Sequence, residues 1–440
     1  MNKTATGQKG QLIRGIGLVG GALIVLNGMI GAGIFALPAA VAASAGVLSP
    51  WLFLGTGVLF TSVVLTFAEL SSYFRISGGP ALYATKAFGP LTGFSTGWIY
   101  FVSRAASVAA NSHVMAIFLG AVWPWFDTGT GHVVVVVVVI VALTLANVVG
   151  VRGGVRALAF FTFFKLVPLL IMILLGLQYV TPEVMFPSSL PTIDDLGGTT
   201  LLLIYAYIGF EQVLIPAGET SKPKETIPKA LLFTMIATAL LYFLIVLVYI
   251  SVLGDAAAGG SLVDVGFKLA GPLGAIAITL TAVFSIGGNL SSSMLATPRL
   301  TQSLADHRLL PRWFGHINEK YSSPANSIMF LGGMSLILAL SGSFVVLAVA
   351  TTLTRLIVYV VCIAALPVIK GQADYKTIER AYRIKGGYTI PLIGLGLCLW
   401  MISFSEAKSW ILVGILLAVG LVIYWLEQLR IKKQDASIGG

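Results

Sequence analysis

The chain has 440 residues, 57% of them hydrophobic and 10% charged, with a mean hydropathy of +0.95, which places it outside the soluble globular class. The net charge of +10 does not point to nucleic acid, because the basic residues gather in the links between apolar stretches. A bilayer core of roughly 30 Å takes about 20 apolar residues per helix, and the sequence supplies about a dozen such stretches, too long and too uniformly apolar for barrel strands.

The expected fold class is therefore an all-α membrane protein of about 12 transmembrane helices, with spans near 14–45, 48–74, 91–122, 132–150, 157–178, 198–219, 228–253, 271–303, 325–341, 343–369, 388–405 and 408–430. No small-residue cleavage site follows a short apolar core at the start of the first span, so insertion without a cleaved signal is expected. With this assignment both termini share one side. All 27 lysines and arginines lie on that side except Lys268 and Lys408 opposite and Arg104, Lys165 and Arg355 within spans. The positive-inside rule makes the termini cytoplasmic, in a cell membrane. The opposite loops carry Asp127, Glu183, Asp194, Asp195, Asp255, Asp264 and Glu406. Cys362 and Cys398 fall inside apolar stretches and read as small buried hydrophobes.

The first span contains GMIGAGIFALP, residues 28–38, in which three glycines interrupt an apolar helix. Each glycine costs about 1 kcal/mol relative to alanine in a helix interior, and unwinding leaves peptide groups that lipid cannot satisfy. Gly17, Gly20, Gly21 and Gly28 also read as helix-packing positions. After the second span, SGGPALYATKAFGP is too polar to cross a bilayer and reads as a short amphipathic or re-entrant piece at the cytoplasmic surface. The valine run 133–139 continues apolar to 149 and reads as a span rather than a strand.

A second interruption, Ile208-Gly209-Phe210-Glu211, falls in the sixth span, five spans after the first. An odd number of spans per unit inverts the second unit, and paired interruptions are the sequence trace of a transporter with inverted repeats. The helix ends so created offer free N–H groups to an anion and free carbonyls to a cation. An amino acid, carrying both charges on one carbon, is the small-molecule substrate that fits. No cofactor, metal-ligand spacing, nucleophile beside a base or phosphate-cradling loop is evident, so an enzyme is not expected.

GMIGAGIFALP, AELSSYFRISGGPALYATKAFGP, YIGFEQ and GETSKPKETIPKA resemble, in order and spacing, the signatures of the amino acid-polyamine-organocation transporter superfamily, over about residues 14–370. The resemblance implies the five-plus-five inverted repeat typified by the bacterial leucine transporter. Repeat one would span about 14–178 and repeat two about 198–369, with appended helices at about 388–430, all in one domain. It puts a substrate carboxylate at the amides of Gly31, Ala32 and Gly33, where relatives often have Gly-Ser-Gly, so that Ala32 lacks the usual hydroxyl. It puts the substrate ammonium at carbonyls near Met29, Ile30 and Tyr207 or Ile208, beside Gly209, with Tyr205 as a cover.

The resemblance also places Lys165 where sodium-coupled relatives hold a cation, bridging carbonyls of the broken first helix and hydroxyls among Ser291, Ser292 and Ser293. That implies sodium independence, with Lys165 either a proton carrier or a fixed strut. Glu211 either shapes the broken sixth helix or responds to pH. Glu69 and Glu219 are expected to pair with bases such as Arg75 or Lys222. Arg104 shares a helix face with Ser107 and Asn111, and Arg104 and Arg355 resemble arginines of the cystine/glutamate branch; they would bind an acidic substrate, pair with Glu211 or cap carbonyls. Asn289, His113 and Asn147 read as interhelical hydrogen-bonding residues. A proton-coupled symporter, an exchanger, an amine or polyamine carrier and a channel stay open as readings.

Overall fold

A computed structural model of the chain describes residues 16–149, 154–186, 197–318, 320, 321, 323–372 and 382–438. Lys3, Lys9, Arg14, Arg152, Asp194, Asp195, Lys376 and Arg380 lie outside them. The elements are helices: α1 Leu18–Met29, α2 Gly33–Ala45, α3 Ser49–Ser71, α4 Gly79–Phe88, α5 Pro90–Gly120, α6 Gly129–Val149, α7 Gly154–Gly176, α8 Pro182–Met185, α9 Gly197–Tyr205, α10 Pro223–Leu253, α11 Leu262–Asp306, α12 Ala325–Ser341, α13 Phe344–Gly371, α14 Thr389–Ser403 and α15 Ala407–Ile438. Among the described residues, seven helical segments are long and apolar enough to cross a membrane, and four shorter apolar helices accompany them.

Helix starts follow local chemistry. Proline occupies the first turn of α3, α4, α5 and α10, where its missing N–H costs nothing. Ser261 and Asp264 form a reciprocal capping box at the start of α11. That helix bends at Gly271, whose φ of +61° divides a short segment from the long one that follows. The expected span beginning at 271 therefore starts at a real break in the helix.

The first span divides into α1 and α2 with Ile30 extended between them (φ −82°, ψ 91°). The sixth divides differently from expectation. Regular helix stops at Tyr205, a turn covers 206–209, and the second half is built from 3-10 turns over Phe210–Leu214 and Ala217–Glu219. The two breaks touch. A Cβ on Gly28 would lie 2.4 Å from the Gly209 carbonyl oxygen, and Gly209 has a φ of +116°, a conformation that L side chains rarely adopt. Gly20 and Gly21 face Val155 and Ala230 as packing positions, whereas Gly17 faces open space.

α5 is almost wholly buried. Its polar and small residues meet protein rather than lipid, which explains how a less hydrophobic helix sits inside the bundle. α4 buries Pro80, Leu82 and Tyr83 against the bundle. α15 packs on α5 through Trp98, whose indole donates to the Leu416 carbonyl (2.8 Å), with Gly420 opposite the ring. Both cysteines are buried and free.

The ion pairs at the helix ends differ from those expected. Buried Glu69 pairs with Lys370 (2.8 Å) and accepts from the Ile384 amide, fastening the chain after α13 to the end of α3. Glu219 pairs with Arg299 on α11 (2.6 Å). Arg75 and Lys222 are nearer in sequence, but tertiary packing brings more distant bases to these acids. On the same side, Ile16 bridges Thr220 through backbone bonds to Glu219 and Ser221 (3.1 and 2.9 Å).

The contact between the breaks yields a stability prediction. Gly28→Ala inserts a methyl against the Gly209 carbonyl and should cost about 1–3 kcal/mol through overpacking. Gly55→Ala, facing open space, should be neutral or slightly stabilising. Thermal unfolding of the two purified variants in one detergent checks the difference.

Candidate functional site

Breaking α1 exposes its last carbonyls, and side chains from three other helices meet them. Asn289 of α11 donates to the carbonyls of Asn27 (3.0 Å) and Gly28 (2.6 Å). Tyr242 of α10 reaches the carbonyls of Met29 (3.3 Å) and Ala206 (3.1 Å), linking one break to the other. Lys165 of α7 is fully buried and donates to the Ile30 carbonyl (2.7 Å), with the Ser285 carbonyl at 3.4 Å. Ser285 Oγ lies 3.1 and 3.3 Å from the carbonyl oxygens of Ile30 and Gly31.

The serine beside Lys165 is thus Ser285, and not one of Ser291, Ser292 and Ser293. The reason is helical rise: Ser292 lies seven residues along α11, about 10 Å further at 1.5 Å per residue. Ser292 instead bonds Gln212 (2.6 Å), Ser293 Oγ bonds the Asn289 carbonyl (2.8 Å), and Ser291 is half-buried. Asn289 is an interhelical residue as expected, whereas Asn147 bonds the Leu143 carbonyl of its own helix.

Of the three amides expected to hold a carboxylate, that of Gly31 turns back to the Met29 carbonyl (3.1 Å) and that of Ala32 donates to Asn111 Oδ1 (2.9 Å). α2 begins at Gly33 without a side-chain cap, leaving a helix N-terminus suited to an anion. Gly33 lies against Ala206, where an added Cβ would be 3.0 Å from its Cα. Asn111 also donates to Ser107 O (2.7 Å) and Tyr205 Oη (3.2 Å). The side chain that meets the Ala32 amide therefore comes from α5. Its stripe was visible in the sequence, but its partner was not. Tyr205 stands edge-on to Phe344. Tyr207 points away, its hydroxyl donating to the Phe53 carbonyl (2.6 Å). Ile208 closes the turn through its amide to Ile204 O (3.2 Å).

At the second break, Glu211 collects four donors. Arg355 Nη1 (2.6 Å) and Tyr100 Oη (3.4 Å) approach one oxygen; Tyr359 Oη (2.8 Å) and the Gly209 amide (3.1 Å) approach the other. Arg355 and Glu211 are both wholly buried. Arg355 also donates through Nε to Ser103 (3.1 Å) and lies 4.0 Å from the centre of the Tyr100 ring. Arg355 is therefore committed to Glu211, one of the alternatives that the sequence left open. Tyr100, Tyr359, Gln212 and Ser285 are site residues that the sequence reading missed, because apolar spans carry many such side chains and only the fold selects among them.

Arg104 differs. It is 1% exposed and meets only neutral groups: Ser293 Oγ and the Gln212 amide, oriented with its oxygen 2.6 Å from Arg104 and its nitrogen toward Ser292. A guanidinium only donates, which fixes that amide orientation. Arg104 Nε and Arg355 Nη2 are buried without a protein acceptor.

A family model described as amino acid permease matches residues 16–406. The chain is 24% identical to Serine/threonine exchanger SteT of Bacillus subtilis (strain 168), over 96% of this chain and 98% of that one. It is 27% identical to Arginine/ornithine antiporter ArcD1 of Lactococcus lactis subsp. cremoris (strain MG1363), over 72% and 66%. Identity to the Methylthioribose transporter of B. subtilis is 24%, over 92% and 91%.

The buried pair predicts a non-additive response. Glu211→Gln leaves Arg355 buried without its counter-ion and should cost about 3–5 kcal/mol. Adding Arg355→Met should restore most of that stability, as read by thermal unfolding of the single and double variants.

Proposed function

The chain belongs to the amino acid permease family, and from that premise we propose that it is a sodium-independent secondary transporter exchanging amino acids by alternating access. It is a multi-pass membrane transporter rather than an enzyme. The proposed orientation, from the basic residues, has both termini in the cytoplasm. The proposed architecture is two inverted repeats followed by two appended helices, with substrate held where the repeats meet.

The observation that carries this reading is the contact of the two helix breaks at Gly28 and Gly209 beside the uncapped start of α2. A substrate carboxylate would sit at the amides of Gly31, Ala32 and Gly33, exchanging with the side-chain oxygen of Asn111. The ammonium would take carbonyls around the second break, at Tyr207 and Ile208, because those of Met29 and Ile30 already accept from Tyr242, Lys165 and Ser285. Tyr205 would cover the bound substrate.

Sodium independence rests on Lys165. Its ammonium occupies the carbonyl oxygens of Ile30 and Ser285 that a metal cation would need. Exchange is favoured over symport by what the relatives are called, a serine/threonine exchanger and an arginine/ornithine antiporter. A channel is disfavoured because polar groups at the breaks bond one another.

A second reading concerns the side chain carried. Arg355 pairs with Glu211, whereas the hydrogen-bond partners of buried Arg104 among the described residues are neutral, and a charge within a membrane protein without a carboxylate in contact is costly. An acidic amino acid would supply the missing anion.

Counterflow in proteoliposomes tests the main reading. Labelled amino acid should enter only against internal unlabelled substrate, without sodium and without an imposed proton gradient. Uptake into empty vesicles driven by a proton gradient would establish symport instead, and conductance that does not saturate would establish a channel. Lys165→Ala should slow exchange at least about tenfold, the loss of roughly 1.4 kcal/mol of stabilisation, without conferring sodium dependence.

The acidic reading has its own test. Arg104→Ala should weaken competition by glutamate and aspartate at least about tenfold relative to neutral amino acids, again about 1.4 kcal/mol. Equal loss for neutral and acidic competitors would assign Arg104 to structure.

A further inference from the structure

Beside the first helix break on α5, but not part of it, two of the chain's four histidines meet. His113 of α5 and His132, in the first turn of α6, approach through Nδ1 and Nε2 at 2.8 Å, and His113 Nε2 lies 2.9 Å from the carbonyl oxygen of Ala339 in the last turn of α12. The ring centres are 5.1 Å apart and the planes inclined by 28°, so the facing nitrogens lie between the rings and one ring does not cover the other. Both histidines are half-buried.

The hydrogen-bond roles follow from chemistry. A carbonyl only accepts, so His113 Nε2 carries hydrogen and caps an end carbonyl of α12. In neutral His113, Nδ1 is then an acceptor, and His132 Nε2 must donate to it. A transition-metal ion requires about 2.0–2.1 Å to each nitrogen, which would set two in-line nitrogens about 4 Å apart. The observed 2.8 Å admits a proton between them and excludes a metal.

We propose that His113 and His132 form a single-proton site that joins α5, α6 and α12 and makes transport sensitive to acid at that end of the bundle. The neutral pair holds one N–H···N bond. One added proton makes His132 an imidazolium that still donates through Nε2 to neutral His113, and a charged donor strengthens the bond. A second proton has only His113 Nδ1 to enter, which sets N–H against N–H and charge against charge. Among the described residues, the charged group that acts on the pair from its surroundings is Asp127, in the 3-10 turn Pro124–Asp127 joining α5 to α6; α12 presents the Ala339 carbonyl. α5 carries both groups, since His113 lies two residues from Asn111, which holds the Ala32 amide.

His132→Gln tests the proposal, since its amide can still donate to His113 but does not titrate. In proteoliposomes, wild-type exchange should change about twofold or more on mild acidification of the side that bears this pair, and the variant should lose that change while keeping its thermal stability. Imidazole NMR of the detergent-solubilised wild type, with only four histidines to resolve, should show the pair titrating in two steps separated by more than about one pH unit, as interacting sites do. Coincident, independent titration of His113 and His132, or the same pH profile in wild type and variant, would overturn the proposal.

Discussion

The buried Glu211–Arg355 pair is the constraint on which the centre of this molecule depends. A carboxylate taken into a membrane-spanning bundle needs a counter-charge and donors for its remaining lone pairs. Here it has Arg355, two tyrosine hydroxyls and the backbone amide of Gly209. The last contact matters most for shape. By holding the Gly209 amide, Glu211 fixes the turn at the second break, where Gly209 adopts a conformation that suits glycine and lies against Gly28 of the first. One ion pair therefore ties α13 and α5 to the point where both broken helices meet.

The first break is held by a complementary device. Its carbonyls accept from Asn289, Tyr242, Lys165 and Ser285, so α7, α10 and α11 supply donors where α1 stops supplying its own. Buried backbone groups must be paired, and unwinding a span is affordable only where neighbouring helices provide the partners. With those carbonyls taken, the peptide groups left for a ligand in the proposed site are the amides at the start of α2 and the carbonyls of the second break. Of those amides, that of Ala32 donates to Asn111 of α5.

Charge divides the two arginines that the sequence leaves equivalent. Arg355 is paired with Glu211, but the hydrogen-bond partners of Arg104 among the described residues are the neutral side chains of Ser293 and Gln212. Within a low-dielectric interior those are different electrostatic states: one guanidinium is balanced by a carboxylate in hydrogen-bond contact, and the other is not. Hydrogen-bond geometry decides in the same way for His113 and His132, whose facing nitrogens are 2.8 Å apart, a spacing for a proton and not for a metal.

The class of the protein, its helices and the glycine breaks were legible in the sequence, because each depends on local properties: length, hydropathy and the cost of glycine in a helix. The apolar stretches near 91–122 and 325–341 match α5 and α12 closely, and the break at GAG lies where the glycines are. The pairing of side chains was not legible. Glu69 goes to Lys370 rather than Arg75, Glu219 to Arg299, and Lys165 to Ser285 rather than to the serines at 291–293. Such choices are made by which helix faces are packed together, and residues 80 or more positions apart leave no local trace of that contact. The sequence by itself determined a membrane bundle with two interrupted spans. Only the tertiary structure decided which donors fill the interruptions, because a hydrogen bond across helices depends on their relative rotation and depth, which hydrophobic periodicity does not specify.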